Sequence, residues 1–339
     1  MREGNIINVG LIGFGRHTER SMFCNIIANN YTRIVAVADI DKQRLELAGR
    51  KLLGVNLFNS GKELIEAAKQ VQLDAVFISL TPQLHYELTK MALLNNLHVL
   101  VEKPVCLKAD EFGELIELAE TRKLVVGVDT KWRYTKVTGL VQKWVSEDER
   151  RKPVMYNLNV TYPNVLNEKM WGLSSVLEVS LYDMFVHAFD YMKSWMGDYE
   201  IYSPQYYEGR NKEIYLTSIL RNENSFAVIN LIQGSEEYCV DLDVHMENRG
   251  KIHIHNLTEV DIIDSKSWLG TEGSLRDESK LHWNQGRLYR GYARAGYAEI
   301  WKEFIDAINI SGKMKTDLRT AQFGAKQMEF VLENITKIL

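Results

Sequence analysis

Gly13-Phe14-Gly15-Arg16-His17-Thr18 is the first segment able to do chemistry. Two glycines one residue apart, directly after an apolar run, let the backbone turn tightly and bring its N–H groups up to a pyrophosphate. The third glycine of the usual G-x-G-x-x-G spacing, which serves close helix packing, is Thr18 here. Asp39 closes the next apolar run, about 20 residues on, where a carboxylate can accept hydrogen bonds from an adenosine ribose. Its charge repels a 2′-phosphate, so NAD is expected over NADP, with NADP possible if the nearby Arg44 takes the phosphate. An ordinary strand-to-helix turn is the competing account of the glycines when they are taken alone.

Two more segments follow apolar runs. In Ser79-Leu80-Thr81-Pro82-Gln83-Leu84-His85, Pro82 suits the first turn of a helix and Thr81 an N-cap, so free backbone donors could face a ligand; a merely capped helix is the alternative. In Glu102-Lys103-Pro104, a lysine at the end of a buried strand is desolvated and aimed into the cleft beyond the sheet. Taken alone, such a lysine is more often one partner of a structural salt bridge. Farther along, a helical LYDMFVHAFDYMKSWMG places Asp183, His187 and Asp190 at i, i+4 and i+7, a polar stripe beside Met184, Phe185, Phe189 and Met192. Such a stripe is either a proton-transfer site or a hydrogen-bonded core histidine capped by Asp183.

These segments need a frame. The runs INVGLIGF, RIVAVADI, DAVFISL, HVLVEKP and LVVGVD are apolar throughout and alternate with helical QRLELAGRKL, HYELTKMALLNN and DEFGELIELAE. Strands apolar on both faces between amphipathic helices predict a doubly wound parallel sheet, and ligands of such sheets bind beyond the carboxyl ends of the strands. From about residue 150, VMYNLNVTYP, EIYLTSILR, SFAVINLIQ and YCVDLDVHM alternate with period two, predicting a large, mostly antiparallel sheet with one open face; AEIWKEFIDAI and AQFGAKQMEFVLENI predict closing helices. The expected fold class is therefore α/β: a Rossmann domain over 1–130 and an α+β domain over 131–339, whose last helices could pack back on the first.

The bulk numbers agree with this frame. At 339 residues the chain exceeds what one core usually serves. No stretch approaches the ~20 apolar residues of a membrane helix, and the start shows no signal-peptide pattern, so a cytoplasmic protein is expected. Three scattered cysteines exclude a disulfide framework, and a net charge of −4 without a basic run argues against nucleic acid or an anionic membrane as partner. His245, His253 and His255 lack a fourth ligand or acid cluster fixed in sequence, so no metal is expected. Tyr292, Tyr297 and Trp171 either line a cleft or belong to the core.

The glycine turn, Asp39, the Thr81-Pro82-Gln83-Leu84-His85 turn and the E-K-P tripeptide, in this order, resemble the glucose-fructose oxidoreductase, inositol dehydrogenase and rhizopine catabolism (Gfo/Idh/MocA) family. The resemblance spans essentially the whole chain. It implies cofactor binding by Gly13, Phe14, Gly15, Arg16, His17, Asp39, Thr81, Pro82, His85, Glu102, Lys103 and Arg133. It also implies catalysis by Lys103, His187 and Asp183; Trp171, where it lines the cleft, is the further candidate for substrate binding beside them. The implied activity is NAD(P)-dependent hydride transfer to or from a secondary alcohol or ketone of a sugar, sugar derivative or cyclitol. Imine or enone reduction, or a silent dinucleotide-binding regulator, are the alternatives. A homodimer or homotetramer through the C-terminal sheet is implied too. The chain departs from the family's pattern at Glu178-Val179-Ser180, where a Gly-Gly pair is usual, at Phe185, where a glycine is usual, and at Gln83, where an asparagine is usual. Altered substrate access is expected from the first two.

Overall fold

Strand β1 (Ile7–Ile12) pairs in parallel with both β2 (Thr32–Ala38) and β4 (Ala75–Ile78), and the remaining strands extend from this centre. With β3 (Asn56–Phe58), β5 (His98–Val101) and β6 (Val126–Val128), the order is β3-β2-β1-β4-β5-β6, which makes the sheet the doubly wound parallel one expected from the sequence. The computed structural model describes residues 5–164, 170–247, 250–264, 279–286 and 295–338, so Tyr292 lies outside the described residues.

The chain divides into two compact units, residues 1–131 with 297–326, and residues 132–296 with 327–339. In the first, every residue of β4 is buried, as a strand covered on both faces must be. Helices α1 (Phe23–Ile27), α2 (Lys42–Lys51), α3 (Gly61–Glu66), α4 (His85–Leu94) and α5 (Phe112–Arg122) connect the strands. Asp41 caps α2 by accepting from the Gln43 N–H, and Ser60 caps α3 through the Glu63 N–H. Strand β3 has no counterpart among the sequence expectations, because three residues reading Asn-Leu-Phe carry no periodic signal. After α6 (Lys136–Ser146), in the second unit, and that unit's other elements, helix α9 (Tyr297–Ile310) returns to the first unit. There Trp301, fully buried, meets Phe77 of β4 edge-on at 6.5 Å and donates its indole N–H to Thr32 Oγ1 at 3.1 Å.

The second unit holds a nine-stranded sheet. Its strands are β7 (Pro153–Tyr162), β8 (Glu200–Glu208), β9 (Ile214–Arg221), β10 (Phe226–Gln233), β11 (Cys239–Met246), β12 (Lys251–His255), β13 (Glu259–Asp264), β14 (Ser279–Asn284) and β15 (Thr336–Lys337). Their order is β14-β13-β12-β11-β7-β10-β9-β8-β15, antiparallel except where β7 meets β10 and β8 meets β15. Burial alternates strictly along β9, so one face is packed and the other open. The expected helix over Leu181–Gly197 is present with an irregularity: α7 (Val176–Ser180) runs into a π turn (Leu181–Phe185) and then α8 (Val186–Met196). Helix α10 (Leu318–Asn334) begins in the first unit and ends in the second.

Truncating Trp301 to Ala empties a filled site and orphans Thr32, so the unfolding free energy should fall by about 3–5 kcal/mol. Denaturant titration followed by circular dichroism measures this, with Leu53→Ala, at 94% exposed, as a control expected within about 0.5 kcal/mol of the parent.

Candidate functional site

The glycine turn is built as its sequence requires. Gly13 has φ +93, and a Cβ there would sit 2.1 Å from the Ser79 carbonyl oxygen. Gly15 differs: a Cβ there would meet no atom of the described residues within 4 Å. Among the described residues no packing demands a glycine at that place, and the open approach suits a phosphate against bare backbone, so the turn fits a dinucleotide. Thr18 replaces the third glycine without opening the packing: it is fully buried, and its hydroxyl donates to the Gly13 carbonyl at 2.9 Å, where a π turn (Thr18–Met22) begins. Asp39 accepts from the Phe14 N–H at 2.7 Å and the Asp41 N–H at 2.9 Å. Each of its oxygens thus keeps acceptor capacity for ribose hydroxyls. Arg16 is exposed, and Arg44 is held by Glu19 at 3.1 Å.

The carboxyl ends of β4 and β5 are tied together by His85. The expected helix at Pro82 is a short 3-10 turn (Pro82–Leu84), with α4 starting only at His85, and Thr81 makes no side-chain cap. The carbonyls of Pro104 and Leu80 face the two ring nitrogens at 2.7 and 3.1 Å, and the Leu80 N–H faces Nε2 at 3.4 Å. Burial lowers the imidazole's pKa, outweighing these carbonyls and the charge of Glu102. A neutral ring has one N–H, so Nδ1 donates to Pro104 and Nε2 accepts from Leu80. His85 thereby holds the turn after Lys103, itself half-buried.

Next to it, Glu102 meets His17 Nε2 at 2.5 Å, joining the E-K-P strand end to the glycine turn. Burial pushes the Glu102 carboxyl up, but the charge and hydrogen bond of His17 and the charge of Lys131 outweigh this and hold it below the ordinary range. Asp129, fully buried at the end of β6, and Lys131, whose Nζ sits 4.8 Å from the ring of Tyr297, complete the cluster. Tyr297 is buried and meets the His17 ring edgewise at 5.8 Å. Sequence reasoning missed Asp129 and Lys131; the signal was a carboxylate and a lysine directly after a fifth apolar run, where ligands of parallel sheets bind.

In the second unit His187 is buried and stacks on Trp132, ring centroids 5.3 Å apart and 24° from parallel. Asp183, in the π turn, is half-buried. Asp190 does not continue a shared stripe: it takes Arg133 in a two-pronged ion pair, at 2.6 and 2.8 Å, while the Asp190 carbonyl accepts a third bond at 2.7 Å. Arg133, expected at the cofactor, spends these donors inside the second unit. The departures at 178–180 and 185 are absorbed locally. Glu178 accepts from Ser174 N–H and Oγ at the helix start, Val179 and Ser180 are buried, and Phe185 is fully buried. Trp171 lies in a short turn with φ +57, half-buried and outside the core. His253 and His255 pair across strands with Asp243 and Asp241, each at 2.9 Å. Among the described residues Cys239 gathers with Asp241 and His255, and His17 with Glu102 and Asp129.

A glycine turn at the switch point of a parallel sheet, with a lysine at the end of its fifth strand, defines a dinucleotide-binding protein of the Rossmann class. Residues 7–130 match the GFO_IDH_MocA family model, described as an oxidoreductase family with an NAD-binding Rossmann fold. A dehydrogenase from Chromobacterium violaceum superposes with a TM-score of 0.88 at 22% identity, over 97% of this chain and 95% of that one. KijD10, a 3-ketoreductase from Actinomadura kijaniata solved with NADP and TDP-benzene, gives 0.78 at 17% identity, over 98% and 99%. These likenesses show the fold. The dTDP-3,4-didehydro-2,6-dideoxy-α-D-glucose 3-reductase of Streptomyces violaceoruber is 29% identical over 148 residues, 42% of each chain. The chain spans 39% and 21% of the length of two other curated relatives it matches. No helix among the described residues is long and apolar enough to cross a membrane.

Removing Asp190 leaves a buried guanidinium uncompensated, so Asp190→Ala should cost about 3–5 kcal/mol of stability. Arg133→Met with Asp190→Leu should recover most of it. A loss of dinucleotide affinity in Arg133→Met without any loss of stability would instead restore Arg133 to the cofactor.

Proposed function

We propose that this protein transfers a hydride between a nicotinamide dinucleotide and a secondary alcohol or ketone of a sugar, sugar derivative or cyclitol. The observation that carries this reading is the His17–Glu102 contact, which joins the phosphate-binding turn to the strand end bearing Lys103 within one rigid sheet edge. The relative named as a 3-reductase of a dTDP-linked deoxysugar favours a sugar over other carbonyl compounds. The bound dinucleotide supplies the hydride acceptor or donor.

The chain's own residues do the rest. The bare backbone at Gly15 takes the pyrophosphate, and Asp39 accepts from the adenosine ribose. Lys103 hydrogen-bonds the substrate oxygen and stabilises the alkoxide charge that develops on it. His187 takes the hydroxyl proton as general base, with Trp132 fixing the plane of its ring, and Asp183 binds a neighbouring hydroxyl or orients the histidine. Trp171 contributes an apolar surface for a sugar face.

Screening free, phosphorylated and nucleotide-linked sugars, cyclitols and aminosugars for absorbance change with NAD and NADP tests the reaction. On a responding substrate, Lys103→Ala should lower kcat by about 10²–10³-fold and His187→Asn by about 10²–10⁴-fold, both with dinucleotide affinity nearly intact. Full activity in either variant returns that residue to a structural role.

Cofactor choice is a separate expectation. Asp39 faces the ribose with its charge, so NAD should bind more tightly than NADP. Asp39→Ala should narrow the preference while weakening both, because the Phe14 N–H loses its acceptor as well. A tenfold preference for NADP in the parent protein, about 1.4 kcal/mol in the opposite direction, sinks the ribose assignment.

A further inference from the structure

Strands β5 and β6 are parallel neighbours with Val101 opposite Val128, so the residues that follow, Glu102 and Asp129, emerge side by side. The Asp129 N–H donates to the Val101 carbonyl at 2.9 Å, which fixes this placement through the backbone. Glu102 is 8% exposed and Asp129 0%. Ligating atoms of His17, Glu102 and Asp129 all lie within 4.8 Å of one another. Among the described residues neither Asp129 oxygen receives an N–H or O–H.

An ionised Asp129 would therefore be a bare charge in a dry site beside a second carboxylate, which is the arrangement least tolerated in a protein interior. A neutral Asp129 has the reverse character: it carries an O–H, and the adjacent Glu102 is an acceptor. The surrounding groups decide which of the two acids keeps the proton. Glu102 faces His17 from the glycine turn and Lys131 from the segment after β6, whereas Asp129 faces Glu102, with Lys131 and Lys103 as partial compensation. Burial, followed by the charge of Glu102, pushes the Asp129 carboxyl well above its ordinary range. Glu102 thus holds the charge and Asp129 the proton.

We propose that Asp129 is a positioning residue: as a neutral acid it donates its O–H to Glu102, and the chain Asp129–Glu102–His17 locks the phosphate-binding turn to the strand end that carries Lys103. Its functional meaning rests on the reading of that turn as the dinucleotide site, but the lock itself is a property of the protein alone. The sign follows from the proton. Below the raised value the lock is closed; as pH rises through it, Asp129 ionises, repels Glu102, and the turn loosens. An amide at 129 supplies an N–H to Glu102 at every pH.

The test uses the full chain without dinucleotide. Infrared spectra of the parent protein at neutral pH should show a protonated-carboxyl C=O band that shifts in D₂O and is missing from Asp129→Asn. Hydrogen exchange, corrected for the intrinsic pH dependence, should show Gly13–Thr18 protected equally in the parent and Asp129→Asn at neutral pH. Protection should fall about tenfold in Asp129→Ala, and at alkaline pH it should fall in the parent but not in Asp129→Asn. A band that survives in Asp129→Asn, equal alkaline loss in the parent and Asp129→Asn, or a metal ion that co-purifies with the parent and is lost from Asp129→Asn overturns the proposal. If Asp129→Ala does not fold, the comparison of the parent with Asp129→Asn decides alone. Failure of NAD and NADP to bind, with band and protection as expected, overturns the site reading and leaves the lock standing.

Discussion

Parallel pairing of β1 with both β2 and β4 is the constraint on which the rest of the first unit depends. Chain leaving β1 and chain leaving β4 must depart to opposite faces, so a crevice opens at the carboxyl edge between them. The polar groups considered for the cofactor in that unit sit at this edge, beyond the carboxyl ends of strands whose central residues are apolar and buried. The edge is then closed from within: the Gly13 N–H goes to the Ala38 carbonyl, the Ser79 N–H to Ile12 and the Glu102 N–H to Ile78, each continuing the ladder one residue past its strand. These bonds hold loop residues with the precision of strand residues, which a binding site needs from its scaffold.

Once several ionisable groups are crowded onto a desolvated edge, each must be neutral or paired, and the structure shows both solutions. His85 stays neutral and spends its single N–H on Pro104. Glu102 stays charged because His17 is within hydrogen-bond reach. Asp39 lies nearer to solvent and satisfies its charge on two backbone N–H groups while keeping room for more. The same rule governs the second unit, where Arg133 and Asp190 are both nearly out of water and bind each other through two parallel bonds.

Much of this was legible in the sequence, for a physical reason. Buried parallel strands read as unbroken apolar runs, and the half-open strands β9 to β11 alternate in burial with period two, so both sheets leave a local signature. Strand β3 does not, since it is short and half-exposed. The pairing of Arg133 with Asp190 was missed because the two are 57 positions apart and both had been given to other tasks. The role of Thr18 was legible only in part: its size argued against close helix packing, but the bond from its hydroxyl to the Gly13 carbonyl depends on the π turn that follows. Asp129 was passed over because nothing in a run of single residues tells which strand will lie beside which. Its proximity to Glu102 arises only from register.

Two π turns lie next to candidate site residues. Each adds one residue to a helix at the point where candidate site residues begin, Thr18–Met22 after the glycine turn and Leu181–Phe185 around Asp183. An inserted residue shifts everything beyond it by about 100° around the helix axis, so a face that ideal geometry would assign to one partner is handed to another. Beyond the second π turn the regular spacing from His187 to Asp190 is preserved within α8, and the two side chains meet adjacent residues of one segment: His187 lies on Trp132 and Asp190 takes Arg133. A π turn costs stability relative to regular helix and persists where packing or function holds it. Around Leu181–Phe185 packing does so visibly, because Leu181, Tyr182, Met184 and Phe185 are all buried and only Asp183 among the five reaches solvent. The fold therefore spends an irregularity to bury four large side chains and leave one carboxylate accessible, which is the placement a substrate-binding acid requires.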